Sequence, residues 1–455
     1  MKETAVDTTA AELERDLRDA RARTLGLVAD LDDDQLMGPR LQIVNPMRWE
    51  IGHLAWFQAN WVLRHLRGLA LGRADADRLY DSMAVPHDTR WDLPLPSRHD
   101  TLDYMQTELE RAVHALHARP LDPETLYFFR LVTFHEDMHD EAFTYTRQTL
   151  GYPAPPGLAV TREAAAAGAI DATAAGGAGP VRPAGTLPSG SEPFVHIPGG
   201  RLVLGAAPGE GFVFDNEKWA HPVELQPYRI ARTQVSNGEF AAFVDARGYE
   251  RREFWDAEGW TWREKAGAHH PVYWQRGASG WEQRAFDRWA RLDPDLPIIH
   301  VNWHEAAAYC RWAGQRLPTE AEWEAAAACT LDGGRISSAK RRYPWGDAPP
   351  RAAHANLDAA HGPVPVHAHA AGDSSWGCRQ MWGNVWEWTA TPFRPYPGFV
   401  PDPYKEYSQP WMDGQHMVLR GGCWATRARL LRNTWRNFYT RDRRDVFAGF
   451  RTCAA

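Results

Sequence analysis

The stretch Phe134-His135-Glu136-Asp137-Met138-His139-Asp140-Glu141-Ala142 decides how the first part of this chain is interpreted. It lies in the segment Glu124–Leu150, which contains no Gly or Pro and carries apolar residues at helical spacing, so we predict a helix. On a helix, His135 and His139 lie one turn apart on one face, with their Cβ atoms about 5–6 Å apart. Two imidazoles so placed can bind one metal ion.

Neighbouring carboxylates and two simpler explanations bear on this pair. Asp137 and Glu141 are positioned to bind a metal or to fix an imidazole tautomer. The letters also match the His-Glu-x-x-His pattern of zinc proteases, which has to be considered. Two histidines on a helix surface are as good an explanation as a metal site. A third histidine is needed to decide.

The composition indicates a large soluble protein. A chain of 455 residues suggests two or three domains, and its 22 tryptophans are suited to lining a concave site. The net charge of −7 gives no reason to expect nucleic acid or an anionic membrane as a partner. The five cysteines are scattered, the N-terminus is polar, and no apolar run approaches the ~18–20 residues that span a bilayer. We therefore expect a cytoplasmic protein with reduced thiols.

Four helices are predicted in a first domain, residues 1–151. They are Thr9–Leu31, Met47–Leu66 (with Asn45 as its N-cap and Pro46 at its first position), Thr101–Leu116 and the helix of His135. Four helices with loops between them predict an antiparallel bundle, in which metal sites are built from inward side chains of facing helices.

His53 lies near the middle of the second helix and supplies the missing histidine. A lone histidine there is more often a packed residue, but together with His135 and His139 it predicts a three-histidine site. Zn²⁺ accepts three histidines plus water, and Fe(II) with three histidines keeps positions open for O₂ and a substrate. The number of ligands does not choose between these metals.

A change of composition separates a second domain from the first. Residues 152–192 are rich in Ala, Gly and Pro and are predicted to be a linker. Residues 193–455 are dense in Trp, Gly and Pro, with short predicted strands, and we assign the whole chain to the α+β class with two domains. The predicted elements are strands Phe194–Ile197, Arg201–Leu204 and Tyr228–Ala231, and helices at Trp303–Gly314 and from Thr319 onward. Loops of this kind need many polar contacts, or bound Ca²⁺, to stay ordered.

Several motifs of the second domain resemble those of the formylglycine-generating enzymes. They include Val301-Asn-Trp303, Arg316-Leu-Pro-Thr-Glu-Ala-Glu-Trp323, Tyr343-Pro-Trp-Gly346, Gly383-Asn-Val-Trp-Glu-Trp388 and Leu419-Arg-Gly-Gly422. The resemblance implies an elaborated C-type-lectin-like fold. The two catalytic cysteines of those enzymes fall at about Thr426 and Leu431, which cannot act as thiolates, so the domain is expected to serve another purpose.

A DinB-like bundle ahead of such a domain resembles the ergothioneine-type sulfoxide synthases, over nearly the whole chain. The resemblance implies a non-haem iron held by His53, His135 and His139, with O₂ as co-substrate. It also implies that the substrate is hercynine, the trimethylated betaine of histidine. In that family a carbon–sulfur bond forms at the ring carbon between the two imidazole nitrogens.

Departures from the family pattern put the chalcogen donor in question. By the resemblance, Phe438 replaces a Trp that lines the hercynine pocket, and Tyr439 replaces an Asp that holds the amino group of γ-glutamylcysteine. Arg443 falls on an arginine that holds the donor's carboxylates, and Met138 occupies a place where relatives often carry Gln. Selenoneine synthases use a selenosugar without an amino group. Loss of the Asp therefore favours that branch modestly, with a γ-glutamylcysteine- or cysteine-using sulfoxide synthase as the alternative.

The resemblance also implies a tyrosine that acts near the iron and arginines that bind the donor. The candidates for the tyrosine are Tyr396, Tyr404 and Tyr407. Arg90 and Arg98, in the loop before the third helix, resemble donor-binding arginines, but solvated surface arginines explain them equally well.

Two other classes of function remain open at this point. One is a zinc-dependent thiol transferase of the DinB type, which also uses three bundle histidines. The other is a binding module, in which the lectin-like domain captures a ligand and the bundle is a scaffold.

Overall fold

The computed structural model describes residues 8–158, 192–359 and 362–455, and the chain divides into two compact units between Gly157 and Leu158. Most of the predicted linker, residues 159–191, lies outside the described residues. No helix in the described part of the chain is long and apolar enough to cross a membrane.

The first unit is helical. Its helices are α1 (Ala10–Val28), α2 (Asp33–Met37), α3 (Met47–Gln58), a π-helix (Ala59–His65), α4 (Ala76–Tyr80), α5 (Arg98–His117) and α6 (Pro123–Leu150), with a 3-10 turn at His87–Thr89. The four predicted helices are confirmed, whereas the short α2 and α4 were not predicted. The helix α6 begins after the Asp122 cap with Pro123 in its first turn, and it ends at Gly151, whose φ of 68° is the left-handed conformation that glycine favours.

The second predicted helix needs two corrections. It is not one α-helix to Leu66, because a π-helix continues from Ala59 to His65. Asn45 is also not its N-cap. Pro46 occupies that position without a side-chain hydrogen bond, and Asn45 Oδ1 instead accepts a hydrogen bond from Arg90 Nη1 at 2.6 Å.

The helix α3 lies in the middle of the bundle. All of its residues except Arg48 are buried, because α3 packs against α5, α4 and α6. The helix α1 packs on α6 and contributes Leu13, Leu17 and Ala20 to the core. A histidine at the centre of α3 is therefore inside the unit, and this is what positions His53.

The second unit mixes short strands with helices, and the two-domain α+β class is confirmed. Its helices are α7 (Asn237–Asp245), α8 (Ala257–Ala266), α9 (Trp303–Trp312) and α10 (Glu320–Ala328). Its strands are β1 (Phe194–Ile197), β2 (Gly200–Leu204), β3 (His221–Leu225), β4 (Tyr228–Ala231), β5 (Trp274–Gly277), β6 (Gly280–Ala285), β7 (Arg288–Arg291), β8 (Gln315–Arg316), β9 (Leu331–Asp332), β10 (Arg335–Ile336), β11 (Trp386–Pro392), β12 (His416–Arg420), β13 (Asn437–Thr440), β14 (Ala448–Gly449) and β15 (Cys453–Ala454). The predicted strands and both predicted helices are present, with Asn302 and Thr319 as helix caps. The helices α7 and α8 were missed.

Two four-stranded sheets organise this unit, in the orders β1-β4-β15-β8 and β13-β12-β11-β14. In the second sheet Phe438 pairs with Val418 and Tyr439 with Met417. Because successive side chains of a strand point to opposite faces, Phe438 and Tyr439 lie on opposite faces of β13.

Buried arginine–carboxylate pairs connect the loops of the second unit. The pairs are Arg451–Glu387 (2.6 Å), Arg420–Glu324 (2.6 Å), Arg436–Glu320 (2.9 Å) and Arg432–Glu217 (2.6 Å). In the described part of this unit, no three His, Cys, Asp or Glu side chains cluster closely enough to hold a metal ion. Internal ion pairs are thus the visible means by which these loops are ordered.

Candidate metal centre

Three histidines of the first unit converge. His53 comes from α3, and His135 and His139 come from successive turns of α6. Their possible ligand atoms all lie within 4.8 Å of one another, and their ring centroids are 5.3, 5.3 and 4.5 Å apart. The structure therefore brings together the three residues that the sequence singled out.

Two of the three rings are held by a hydrogen bond at Nδ1. His53 Nδ1 lies 2.8 Å from the carbonyl oxygen of Tyr80, and His139 Nδ1 lies 2.5 Å from Glu50 Oε1. Since a carbonyl and a carboxylate can only accept, each Nδ1 carries the proton and each Nε2 keeps its lone pair. That tautomer is the one in which Nε2 binds a metal.

Burial keeps two of these imidazoles neutral. Burial, and then the nearby His139, lowers the pKa of His53 to about 3, against the opposing effect of the Tyr80 carbonyl. Burial also lowers the pKa of His135 well below its ordinary value, with His139 and His53 acting in the same direction. Neutral imidazole is the form that binds metals, so the donor set fits a divalent cation. Three neutral nitrogens suit Fe(II) and Zn²⁺ alike.

Aromatic rings hold the histidines in place. The ring of Phe57 stacks on His135 with centroids 3.5 Å apart, and Trp49 stacks on His53 at 5.0 Å. Such packing limits the rotation of the imidazoles and keeps the site dry on the side of α3. Met138, a predicted substrate contact, is half-buried on α6 between His135 and His139 in sequence.

The structure separates the site from the zinc-protease pattern. Glu136, which would be the catalytic base of such a protease, is 2 % exposed and forms a salt bridge to Arg21 of α1, with Oε1 2.7 Å from Nε. It also accepts a hydrogen bond from Thr24. A carboxylate engaged with α1 in this way is not available as a base, so the protease interpretation is wrong despite the matching letters.

Glu50 is the functional candidate that sequence reasoning missed. Its carboxylate is 2 % exposed and contacts His139, whereas the carboxylates predicted to orient a histidine were Asp137 and Glu141. A signal was present, because Glu50 is the one acidic residue in the otherwise largely apolar α3 and lies three residues before His53.

The two predicted donor-binding arginines are engaged inside the first unit. Arg90 is 9 % exposed, so it is not a solvated arginine, and its guanidinium donates to the carbonyls of Ser82 and Val85 as well as to Asn45. Arg98 does not lie in the loop. It is the first residue of α5, and its guanidinium donates to the carbonyls of Val28, Ala29 and Leu31, where α1 ends.

The three candidate tyrosines occupy different surroundings in the second unit. Tyr396 is buried, with the guanidinium of Arg436 4.1 Å from its ring centroid, and burial raises the pKa of its phenol strongly. Tyr407 is half-buried, stacks on Phe214 at 4.3 Å, and accepts a hydrogen bond from Trp435 Nε1 at 3.2 Å. Tyr404 is half-buried beside Tyr407, with ring centroids 6.2 Å apart.

The predicted pocket residues of β13 divide between its two faces. Phe438 stacks on Phe393 at 4.1 Å and lies 6.1 Å from the ring of Tyr407. On the other face, the guanidinium of Arg443 lies 5.0 Å from the ring centroid of Tyr439. Arg443 also forms a two-bond ion pair with Asp445, with both distances 2.7 Å.

Comparisons with known proteins agree with this division of the chain. Residues 184–455 match the family model of the sulfatase-modifying factor enzyme 1-like domain, and residues 16–143 match that of the DinB superfamily. The chain is 39 % identical to a hercynine oxygenase of Mycolicibacterium thermoresistibile, covering 97 % of this chain and 94 % of that protein. It is 38 % identical to the hercynine oxygenase of Mycolicibacterium smegmatis, covering 95 % of this chain and 96 % of that protein. A formylglycine-generating enzyme of Streptomyces coelicolor is 33 % identical over 52 % of this chain and 80 % of its own length.

Proposed function

Because the chain belongs to the hercynine oxygenase family, we propose that it is an iron(II)- and O₂-dependent enzyme that forms a carbon–chalcogen bond on the imidazole of hercynine. The observation that carries this proposal is the convergence of His53, His135 and His139 in one buried cluster. The relatives named above are the reason for choosing hercynine and iron over the zinc chemistry that the same donors would accept.

The three histidines would hold the iron through Nε2. Glu50 and the Tyr80 carbonyl keep the proton on Nδ1 of two of the rings, and Phe57 fixes the plane of the third. Iron held there would supply the electron-transfer chemistry by which O₂ oxidises the two substrates. The depressed pKa values of His53 and His135 mean that these rings need not lose a proton before the metal binds.

The reaction balances if the product is a chalcogen oxide. The C–H bond at the ring carbon between the two nitrogens and the chalcogen–H bond of the donor are replaced by one carbon–chalcogen bond. One atom of O₂ goes to the chalcogen, and the other takes up the two released hydrogens as water.

The donor we propose is a selenosugar rather than a thiol amino acid. Arg443, the candidate for holding donor carboxylates, is already neutralised by the Asp445 side chain, which is 3 % exposed. Its guanidinium also covers Tyr439, which offers no carboxylate for an ammonium group. Both observations favour a donor that carries neither an amino group nor a carboxylate, with γ-glutamylcysteine or cysteine as the alternative.

Tyr407 is our choice for the tyrosine that exchanges a proton or an electron with the substrates. Its ring lies in the same aromatic cluster as Phe438, the residue proposed to line the hercynine pocket. Tyr404 is its neighbour and the next candidate. The hydroxyl of Tyr396 is buried behind Arg436, which disfavours it for this role.

The test is to incubate iron-loaded enzyme with hercynine and O₂, and to offer a 1-selenosugar, γ-glutamylcysteine and cysteine in separate reactions. We expect a selenium adduct by mass spectrometry, and a Tyr407→Phe variant that forms it more slowly than wild type. A sulfoxide formed with either thiol in place of the selenium adduct would identify the sulfur branch.

No adduct from any donor would contradict the hercynine proposal. Metal analysis of protein expressed without added zinc separates the remaining alternative, since stoichiometric zinc without iron would favour the zinc-dependent thiol transferase. O₂ consumption that is unaffected by hercynine would contradict the assignment of the substrate.

A further inference from the structure

We infer that Glu50 is a positioning residue of the metal centre, acting through His139, and that Arg90 holds Glu50 in its ionised form. The inference rests on the proposed function only in taking the three histidines as metal ligands. It assigns a role to a buried ion pair that the motifs of the sequence did not reveal.

The three histidines are not held equally. His53 is fixed by a main-chain carbonyl and by stacking on Trp49, and His135 is covered by Phe57 at 3.5 Å. The side chain of His139 is 21 % exposed, and its ring is oriented by the carboxylate of Glu50 at 2.5 Å. His139 therefore depends on a side chain for both its tautomer and its orientation.

An ionised carboxylate does more at this position than a neutral acceptor would. It accepts the Nδ1 proton and draws it toward oxygen, which raises the electron density at Nε2 and strengthens that nitrogen as a ligand. Partners of this kind typically change metal affinity by about 10–100-fold.

Arg90 supplies the positive charge that a buried carboxylate requires. Its guanidinium lies 3.9 Å from the ring centroid of Trp49, the residue next to Glu50. Burial lowers the pKa of Arg90, and the negative charge of Glu50 counteracts this effect, so the two charges interact. Because burying an uncompensated carboxylate is costly, Arg90 favours the ionised Glu50. Asn45 and the carbonyls of Ser82 and Val85 fix the guanidinium in turn.

The experiment measures the affinity of the metal-free full-length chain for Co²⁺, a spectroscopic probe of a nitrogen-ligand site, in Glu50→Gln and Glu50→Leu. Gln keeps the shape and a hydrogen-bond acceptor but removes the charge, whereas Leu removes both. We expect the dissociation constant for Co²⁺ to rise about 10–100-fold in Glu50→Leu and by a smaller factor in Glu50→Gln, with the visible spectrum of bound Co²⁺ altered in Glu50→Leu.

Glu108→Gln is the matched control. Glu108 is a fully buried carboxylate of the same bundle, bonded to the Gly72 amide and to Arg111, and its substitution should leave Co²⁺ affinity unchanged. Equal losses of affinity in Glu108→Gln and Glu50→Gln would show a general effect of bundle stability and overturn the inference. So would wild-type affinity in Glu50→Leu.

The outcomes are distinct from those of the hercynine test. If the Glu50 variants show the expected order of affinities but no adduct forms with any donor, the substrate proposal fails and the positioning role stands. If the unmodified chain binds neither Co²⁺ nor iron, the inference is overturned together with the metal site. Should Glu50→Leu fail to fold, Glu50→Gln still decides, because it conserves volume and one hydrogen bond.

Discussion

The two units treat their buried polar groups in opposite ways. In the second unit the buried carboxylates of Glu387, Glu324 and Glu320 are each paired with a buried arginine. At the centre of the first unit, three imidazoles face one another, and burial lowers the pKa of His53 and His135. The second unit thus balances its charges internally, whereas the first presents a cluster of neutral donors that a cation would complete. The difference identifies the bundle as the part of the chain built to bind a metal.

The largest expected effect concerns the histidine cluster. His135→Ala removes one of three donors and leaves a gap beneath Phe57, so we expect the affinity for iron to fall at least about 100-fold, beyond the effect of losing an orienting partner. Iron content after dialysis measures it, and unfolding of the second unit should be unchanged. His114→Ala, at an exposed position of α5, is the control. Stoichiometric iron retained by His135→Ala would break the comparison at its first term.

The second expected effect concerns the ion pairs of the second unit. Arg451→Met leaves the carboxylate of Glu387, which is 1 % exposed, buried without its counter-charge, and should reduce the free energy of unfolding of this unit by about 3–5 kcal/mol. Denaturant unfolding followed by tryptophan fluorescence measures the change.

Arg251→Met is the control for that prediction, because the ion pair of Arg251 with Glu253 is exposed and contributes at most about 1 kcal/mol. If both variants lose the same small amount, the buried pairs are not what orders the second unit.

A smaller effect is expected at Asp215, whose carboxyl accepts a hydrogen bond from Ser408 instead of a guanidinium. Burial raises the pKa of Asp215 from 3.8 to about 6. The folded state therefore holds this proton more tightly, so its stabilising contribution is present below pH 4 and lost as the pH rises through 6. Asp215→Asn should gain about 1–3 kcal/mol of stability at pH 7.5 and less at pH 4.5, measured by denaturant unfolding. A gain that does not depend on pH would contradict this.

The smallest effect separates two interpretations of Arg98. As a residue that donates to the carbonyls at the end of α1, Arg98→Ala should cost about 1 kcal/mol of stability and leave the KM for the donor unchanged. The neighbouring exposed residue provides the control, His99→Ala, which should change neither quantity. A raised KM with unaltered stability would instead support the original prediction that Arg98 binds the donor.

Local patterns in the sequence were enough for much of the fold. Helical periodicity and the absence of Gly and Pro determined α6, and Asp122, Asn302 and Thr319 occupy cap positions whose side chains accept backbone hydrogen bonds as expected. The i, i+4 spacing placed His135 and His139 on one face. The helices α7 and α8 were missed in a segment dense in Gly and Trp, although Ser236 and Glu239 form a capping box at the start of α7.

The sequence by itself determined that two histidines share a helix face and that a third was available on another helix. Only the tertiary structure decided that His53 meets them, that Glu136 turns away to Arg21, and that Glu50 reaches His139. The reason is physical. Spacing along a helix is set by backbone geometry that each segment carries alone, whereas the partner of each face depends on how whole helices pack, through contacts between residues about 90 to 115 positions apart.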